Sequence, residues 1–248
     1  MSGEILLFLF AGLLGGAVNA AAGGAKLFVF PLLLASGLPP IAANVTQGVA
    51  LWPAQLPAVW VYRREIAAEA RRLALLLVPA FAGSLAGAII MVNSSDEAFV
   101  RVVPLLLAIA VAAIVLGPRM ADLVRRVLPG GRLQAVTVIL IGAIGFYGGF
   151  FGAGMGFMLL AVLTIASGSG LSQVNGAKNL LAFVIQSVAV GPMILSGLVD
   201  WLAASCVLVG GVVGGYWGAL LVRRLPEALV RLGVAALGVI LTLSFLAF

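Results

Sequence analysis

Gly15 to Leu38 reads GGAVNAAAGGAKLFVFPLLLASGL, and Gly148 to Leu171 reads GGFFGAGMGFMLLAVLTIASGSGL, in the same register 133 positions later. Without a gap, Gly12, Gly15, Gly16, Ala20, Gly23, Val29, Ser36, Gly37 and Leu38 fall on Gly145, Gly148, Gly149, Ala153, Gly156, Val162, Ser169, Gly170 and Leu171. Each copy is an apolar segment broken by glycines, followed by an apolar piece too short to cross a bilayer with ease. Interrupted hydrophobic segments at matching places in two halves of a chain point to a transporter's substrate site.

The composition around this pair is that of a polytopic membrane protein. Of 248 residues, 63% are hydrophobic and 9% charged, with mean hydropathy +1.25, whereas soluble domains sit nearer half apolar and a quarter charged. The net charge of +6 is scattered through short connections, which excludes the one-sided basic face of a nucleic-acid binder. Histidine is absent, which removes the commonest general base and metal ligand. The single Cys206 in an apolar run reads as a small packing residue. Near the N-terminus Val18-Asn19-Ala20 resembles a leader cleavage site, but only Glu4 stands where a basic region belongs, so the stretch reads as a retained first segment.

Apolar segments fall at about 5–22, 27–36, 42–62, 73–92 and 99–117, then at about 133–151, 155–167, 176–197, 201–222 and 228–248. Most reach the ~20 residues that a membrane helix needs. All twelve arginines lie in connections or at segment ends, and eleven of them fall in three places: Arg63, Arg64, Arg71 and Arg72 in one connection, Arg119, Arg125, Arg126 and Arg132 in the centre, Arg223, Arg224 and Arg231 near the last segment. By the positive-inside rule these connections are cytoplasmic, while Asn93–Ala98 and Leu198–Asp200 are external. Segment 42–62 then runs inward and its mate 176–197 outward. The expected fold is all-α: two inverted-topology repeats, 1–118 and 133–248, joined by a basic cytoplasmic linker, 119–132. Each repeat is a glycine-broken helical hairpin followed by three transmembrane helices, and both termini lie outside.

Two readings of the breaks stay open. A second arm of ten residues rises only ~15 Å, half the hydrocarbon core, which favours re-entrant hairpins meeting near the midplane. Alternatively the glycines serve close helix packing. Gly210, Gly211, Gly214, Gly215 and Gly218, with Gly83 and Gly87 in the corresponding segment, have small-xxx-small spacings that suit close approach of helices, or of protomers in a homodimer. Pro53, Pro57 and Pro192 lie inside segments and are expected to kink them.

Lys26 and Lys178 stand apart from the arginines. An ionisable group inside an apolar region is a functional-site candidate, and an ammonium beside freed backbone N–H groups suits an anion. Each also has a plainer reading, at a cytoplasmic edge or snorkelling to headgroups. Asn19 with Gly23 and Gly24 marks one break, and Gly152, Gly154 and Gly156 the other. Thr46 and Gln47 open segment 42–62; Asn179 opens its mate, with Gln186 deeper. All eight acids lie at ends or in connections, which leaves a carboxylate proton relay, a metal site and a hydrolase dyad unsupported. The expectation is a carrier of a small anion, with no cofactor and no catalytic residue. Asn19, Gly23, Gly24, Gly152, Gly154 and Gly156 offer donors from the two hairpins; Thr46, Gln47, Asn179 and Gln186 complete the shell; Lys26 or Lys178 supplies charge. A passive anion channel and a membrane scaffold subunit are the alternatives.

The glycine break followed by Pro31, SGLPPIAANVTQ and Tyr62-Arg63-Arg64 resembles the first half-signature of the TauE/SafE sulfite exporter family. Gly148 to Gln186 resembles the second. The resemblance covers nearly the whole chain and implies export of sulfite, sulfoacetate or a related organosulfur anion across the bacterial inner membrane. The chain departs from the family's pattern in Asn19-Ala20-Ala21-Ala22 before Gly23, and in Lys26 where members usually carry an apolar or small residue.

Overall fold

The computed structural model describes residues 2–22, 24–127, 130–166, 171–222, 233, 236, 239 and 240. The described residues form α-helices and one 3-10 turn. The first half holds α1 (Ser2–Ala22), α2 (Ala25–Ala35), α3 (Pro40–Leu51), a 3-10 turn (Pro53–Gln55), α4 (Leu56–Val61), α5 (Arg63–Ala68), α6 (Ala70–Val92) and α7 (Asp96–Val127). The second holds α8 (Gly130–Phe150), α9 (Met155–Ala166), α10 (Leu171–Leu195) and α11 (Trp201–Val222). Among the described residues, four helices are long and apolar enough to cross a membrane: 70–92, 96–116, 133–150 and 174–195. The expected last segment, 228–248, lies outside the described residues apart from isolated positions.

The helix boundaries follow from local chemistry. Segment 42–62 is not one helix. Pro53 cannot donate an N–H to the preceding turn, so α3 ends at Leu51 and the chain tightens into the 3-10 turn before α4. Pro192, by contrast, is carried inside α10 without a break in the helix. Residues 119–127 continue α7, so much of the basic linker is itself helical. Pro40 begins α3, where a missing N–H costs nothing. The next N–H, that of Ile41, is accepted by Asp96 Oδ1 at 2.8 Å from the start of α7.

Packing exchanges helices between the two halves. Along α1, Gly12 faces the backbone of Val207 and Gly211, and Gly16 that of Gly211 and Gly215. Along α8, Gly145 faces Ala80, and Gly149 faces Ser84 and Ala88. Thus the first arm of each hairpin runs parallel to a helix of the other half, α1 to α11 and α8 to α6. The partners return the contact: Gly210 and Gly214 meet Leu9 and Leu13, while Gly83 and Gly87 meet Gly142, Phe146 and Phe150. In all eight places a Cβ would strike backbone, so glycine is the residue that allows the approach. The chain's own helices therefore occupy the small-residue stripes. Between these pairs α3 and α10 run antiparallel: Gly48 lies against Gln186 and Met193, and Trp52 Nε1 donates to Ser187 Oγ at 2.7 Å.

The outer surface is apolar, with Leu6, Phe10, Val78, Phe81, Leu105, Ile139, Val209 and Val212 exposed. A contiguous surface of that kind belongs against lipid. Exposed aromatics mark its rims: Trp201 opens α11, and Tyr216 and Trp217 lie ~24 Å further along it, close to the hydrocarbon thickness. Trp60 carries the Arg63 guanidinium 4.7 Å above its ring.

Asp200 caps α11: its Oδ1 accepts the Ala203 N–H at 2.8 Å, and its own N–H donates to Thr46 Oγ1 at 3.0 Å. Asp200→Ala should cost about 1 kcal/mol, the usual worth of an N-cap. In a chain of this size that is a fall in Tm of about 2–4 °C, read by thermal denaturation in detergent; no change would mean that the α10–α11 turn is held by other contacts.

Candidate functional site

Two breaks meet inside the molecule. α8 ends because Gly152 and Gly154 take φ of +79° and +71°, a region that side-chain-bearing residues avoid. Tyr147 holds the turn together: its carbonyl accepts the N–H of Phe151 at 2.8 Å and of Gly152 at 2.9 Å, and its hydroxyl donates to the Ala153 carbonyl at 2.5 Å. The carbonyls of Phe150 and Phe151 are left over at the end of the helix, where partial negative charge collects. Both are taken by side chains of the other half. Lys26 Nζ donates to Phe151 O and Asn44 Nδ2 to Phe150 O, each at 3.0 Å.

A polar cluster grows from these two bonds. Asn44 Oδ1 accepts from Gln47 Nε2 at 3.1 Å, and Gln186 Nε2 reaches across from α10 to Gly48 O at 3.3 Å. Lys26, Asn44, Gln47 and Gln186 are all buried. Unpaired polar groups in such a place are costly, yet Gln47 Oε1 is buried with no hydrogen-bond donor in reach among the described residues. Beside the cluster stands a dry wall. Phe30, Phe99 and Phe151 are fully buried, with ring centroids 5.4 to 6.2 Å apart in edge-to-face pairs.

The structure brings together Lys26, Gln47, Gly152 and Gln186 of the expected set. A Cβ at Gly152 would lie 2.9 Å from Lys26 Nζ, so the ammonium rests on that glycine. Gly154 turns the same loop, and Gly156 is the second residue of α9. Gly24 is buried and precedes α2, where its carbonyl accepts the Leu27 N–H at 3.0 Å. Gly23 lies outside the described residues. Asn19 is half-buried in the last turn of α1, because the helix continues through the three alanines to Ala22.

Three expected members sit elsewhere. The Thr46 hydroxyl is given to Asp200 and the α11 cap, away from Lys26. Lys178 and Asn179 are half-buried and do not open their helix: α10 begins at Leu171, five residues before the apolar run, so both lie about two turns inside it. They also precede Gln186 by ~10–12 Å along the axis, near Gly176, which packs on Tyr62, Glu65 and Ile66. Asn44 is the residue that sequence reasoning missed. Its signal was the three-residue spacing to Gln47 on one helical face, hidden because a polar residue in a first turn reads as a cap.

At the ends of the molecule, Arg72 donates to the Ala166 carbonyl at 2.6 Å and closes the end of α9. The Arg72 side chain also lines a cavity of about 340 Å³ with Leu75, Leu76, Gln134 and Thr137. That cavity is remote in sequence and contacts from the Lys26 cluster.

The sulfite exporter TauE/SafE family matches residues 8–245. A probable membrane transporter protein of Haemophilus influenzae is 26% identical over 246 residues, covering 96% of this chain and 93% of the relative. The probable membrane transporter protein YfcA of Escherichia coli K12 is 27% identical over 228 residues, covering 91% and 83%. A probable membrane transporter protein of a Sinorhizobium species, ORF9, is 29% identical over 223 residues, covering 87% and 82%. No solved structure matches the chain.

Proposed function

The chain belongs to the sulfite exporter TauE/SafE family, and from that premise we propose that it is a secondary transporter exporting a small anion. The cargo is sulfite, sulfoacetate or a related organosulfur or organic anion, carried across the bacterial inner membrane by alternating access. One observation carries this reading. Lys26 is a buried ammonium where the two hairpin breaks meet, and among the described residues its partner is a neutral carbonyl rather than a carboxylate. A charge buried without a counter-charge is expensive, and a small anion supplies what is missing. The name of the family supports a sulfur oxyanion; the relatives are named as transporters and not as enzymes.

We take the two halves to be inverted repeats with both termini outside and the central linker in the cytoplasm. The exchange of helix partners supports this, because α1 stands to α11 as α8 stands to α6, through glycines at equivalent positions. The antiparallel course of α3 and α10 supports it too. Alternating access then comes from one repeat rocking against the other about the Lys26 cluster, with the hairpins re-entrant from opposite faces.

The test is flux from proteoliposomes holding the purified chain. Sulfite, sulfoacetate, taurine, sulfate, acetate and thiosulfate are loaded in turn at matched ionic strength. A carrier gives saturable efflux of one class and exchange of labelled for unlabelled anion. Flux that rises without saturation would mean a channel, and no flux of any anion would favour a scaffold.

A further inference from the structure

Resting on the anion-transport reading above, we infer that the cargo carries a hydrogen-bond donor as well as its anionic group, and that Gln47 Oε1 accepts that donor. The orientation of the amide relay is dictated from one end. The Phe150 carbonyl can only accept, so Asn44 turns its NH2 to it, at 3.0 Å. Asn44 Oδ1 is thereby an acceptor, and Gln47 must give it Nε2, at 3.1 Å. Reversing either amide would set oxygen against oxygen. The end left over is Gln47 Oε1, buried, with no donor among the described residues, on a side chain of 0% exposure.

Lys26 stands at the adjoining carbonyl. Its Nζ donates to Phe151 O, one residue on from the carbonyl that begins the relay. An ammonium has three N–H groups, and among the described residues this is its one hydrogen-bond partner. One loop, residues 150–152, therefore anchors both a cation that calls for an anion and a relay ending in an acceptor that calls for a donor. An anion made only of acceptor atoms satisfies the first and presents lone pairs to the second. An anion that also bears O–H or N–H satisfies both. The class is a protonated oxyanion, or a sulfonate or carboxylate with a hydroxyl or amino substituent. Sites built around a hydrogen bond reject ligands that lack it, because the buried partner is then left unpaired.

The test uses matched pairs on the full-length protein in detergent: 2-hydroxyethanesulfonate against ethanesulfonate, and lactate against propionate, at equal ionic strength. Affinities are read from ligand-dependent thermal shifts. The hydroxyl member should bind at least about fivefold more tightly in the wild type, the lower end of the cost of stranding a buried acceptor. In Gln47→Met, which loses both the accepting oxygen and the Nε2 bond to Asn44, the ratio of hydroxyl to plain affinities should fall below about twofold, and that ratio rather than either affinity alone is the readout. If that variant is not monodisperse, the wild-type comparison decides alone. Equal affinities in the wild type, or tighter binding of the plain anion, overturn the inference and leave the anion site standing. If sulfite alone binds, its affinity must follow the hydrogen sulfite fraction as pH changes; dependence on the fully deprotonated ion overturns the inference. Binding of none of these anions overturns the anion reading, and this inference with it.

Discussion

Lys26→Met should remove anion-dependent flux and stabilisation while leaving the Tm of the unliganded protein at or above that of the wild type. The two effects have opposite origins. In the wild type an ammonium is held away from water by a single carbonyl, and an incompletely paired buried charge costs more than a buried thioether of similar length. Against this stands the Phe151 carbonyl, left unpaired in the variant, at about 1–3 kcal/mol. The charge is the larger quantity, so stability is retained or rises. Binding loses a charge-assisted hydrogen bond worth about 1.5–3 kcal/mol, or roughly 10- to 150-fold in affinity. Lys26→Arg should not rescue it, because the ammonium lies against Gly152 and a planar guanidinium needs more room. Thermal denaturation with and without the best anion of the flux panel decides the matter. A large fall in the unliganded Tm with binding intact would make Lys26 a cap for α8 and nothing more.

The second large effect is expected at the helix crossings. Gly16→Val and Gly149→Val should each abolish the monodisperse folded protein. A Cβ at Gly16 would strike the Gly211 carbonyl, and one at Gly149 the Ser84 carbonyl. Overpacking against side chains costs about 1–3 kcal/mol; here the obstacle is backbone that cannot rotate aside, so the cost is at the top of that range or beyond. Gly191→Val is the control, since nothing lies within 4 Å of a Cβ there. Size-exclusion profiles of the three variants provide the readout. A normal profile for Gly16→Val or Gly149→Val would show that α1 and α8 have room to shift away from their partners.

Much of this architecture was legible in the sequence, for reasons that differ by feature. The segments were visible because lipid demands long apolar runs, and the second break because Gly152 and Gly154 must supply positive φ. The fracture after α3 was announced by Pro53. What could not be read was partnership. Gly12, Gly16, Gly145 and Gly149 looked like part of the breaks, yet they are surfaces on which a helix from the other half rests. Spacing within one helix does not say which helix will approach it. The same limit explains the site. Lys26, Gln47 and Gln186 stood out as polar groups in apolar surroundings, but Asn44 and Thr46 lie two residues apart on α3 and go opposite ways. One meets the end of α8 and the other the start of α11. Their contacts are 106 and 154 residues distant in sequence, beyond any local rule. Lys178 and Asn179 misled because α10 begins with polar turns that an apolar count overlooks.

The pairing of α1 with α11 also sets a timetable for biosynthesis. Gly12 cannot meet Val207 until the ribosome has made the whole stretch that separates them. At ordinary elongation rates of about 5–20 residues/s, the interval is roughly 10 to 40 s. Throughout it a glycine-lined helix lies in or beside the membrane without the neighbour it was shaped for, while α8 finds α6 already synthesised. Of the two paired arms, α1 thus waits far longer for its partner than α8 does.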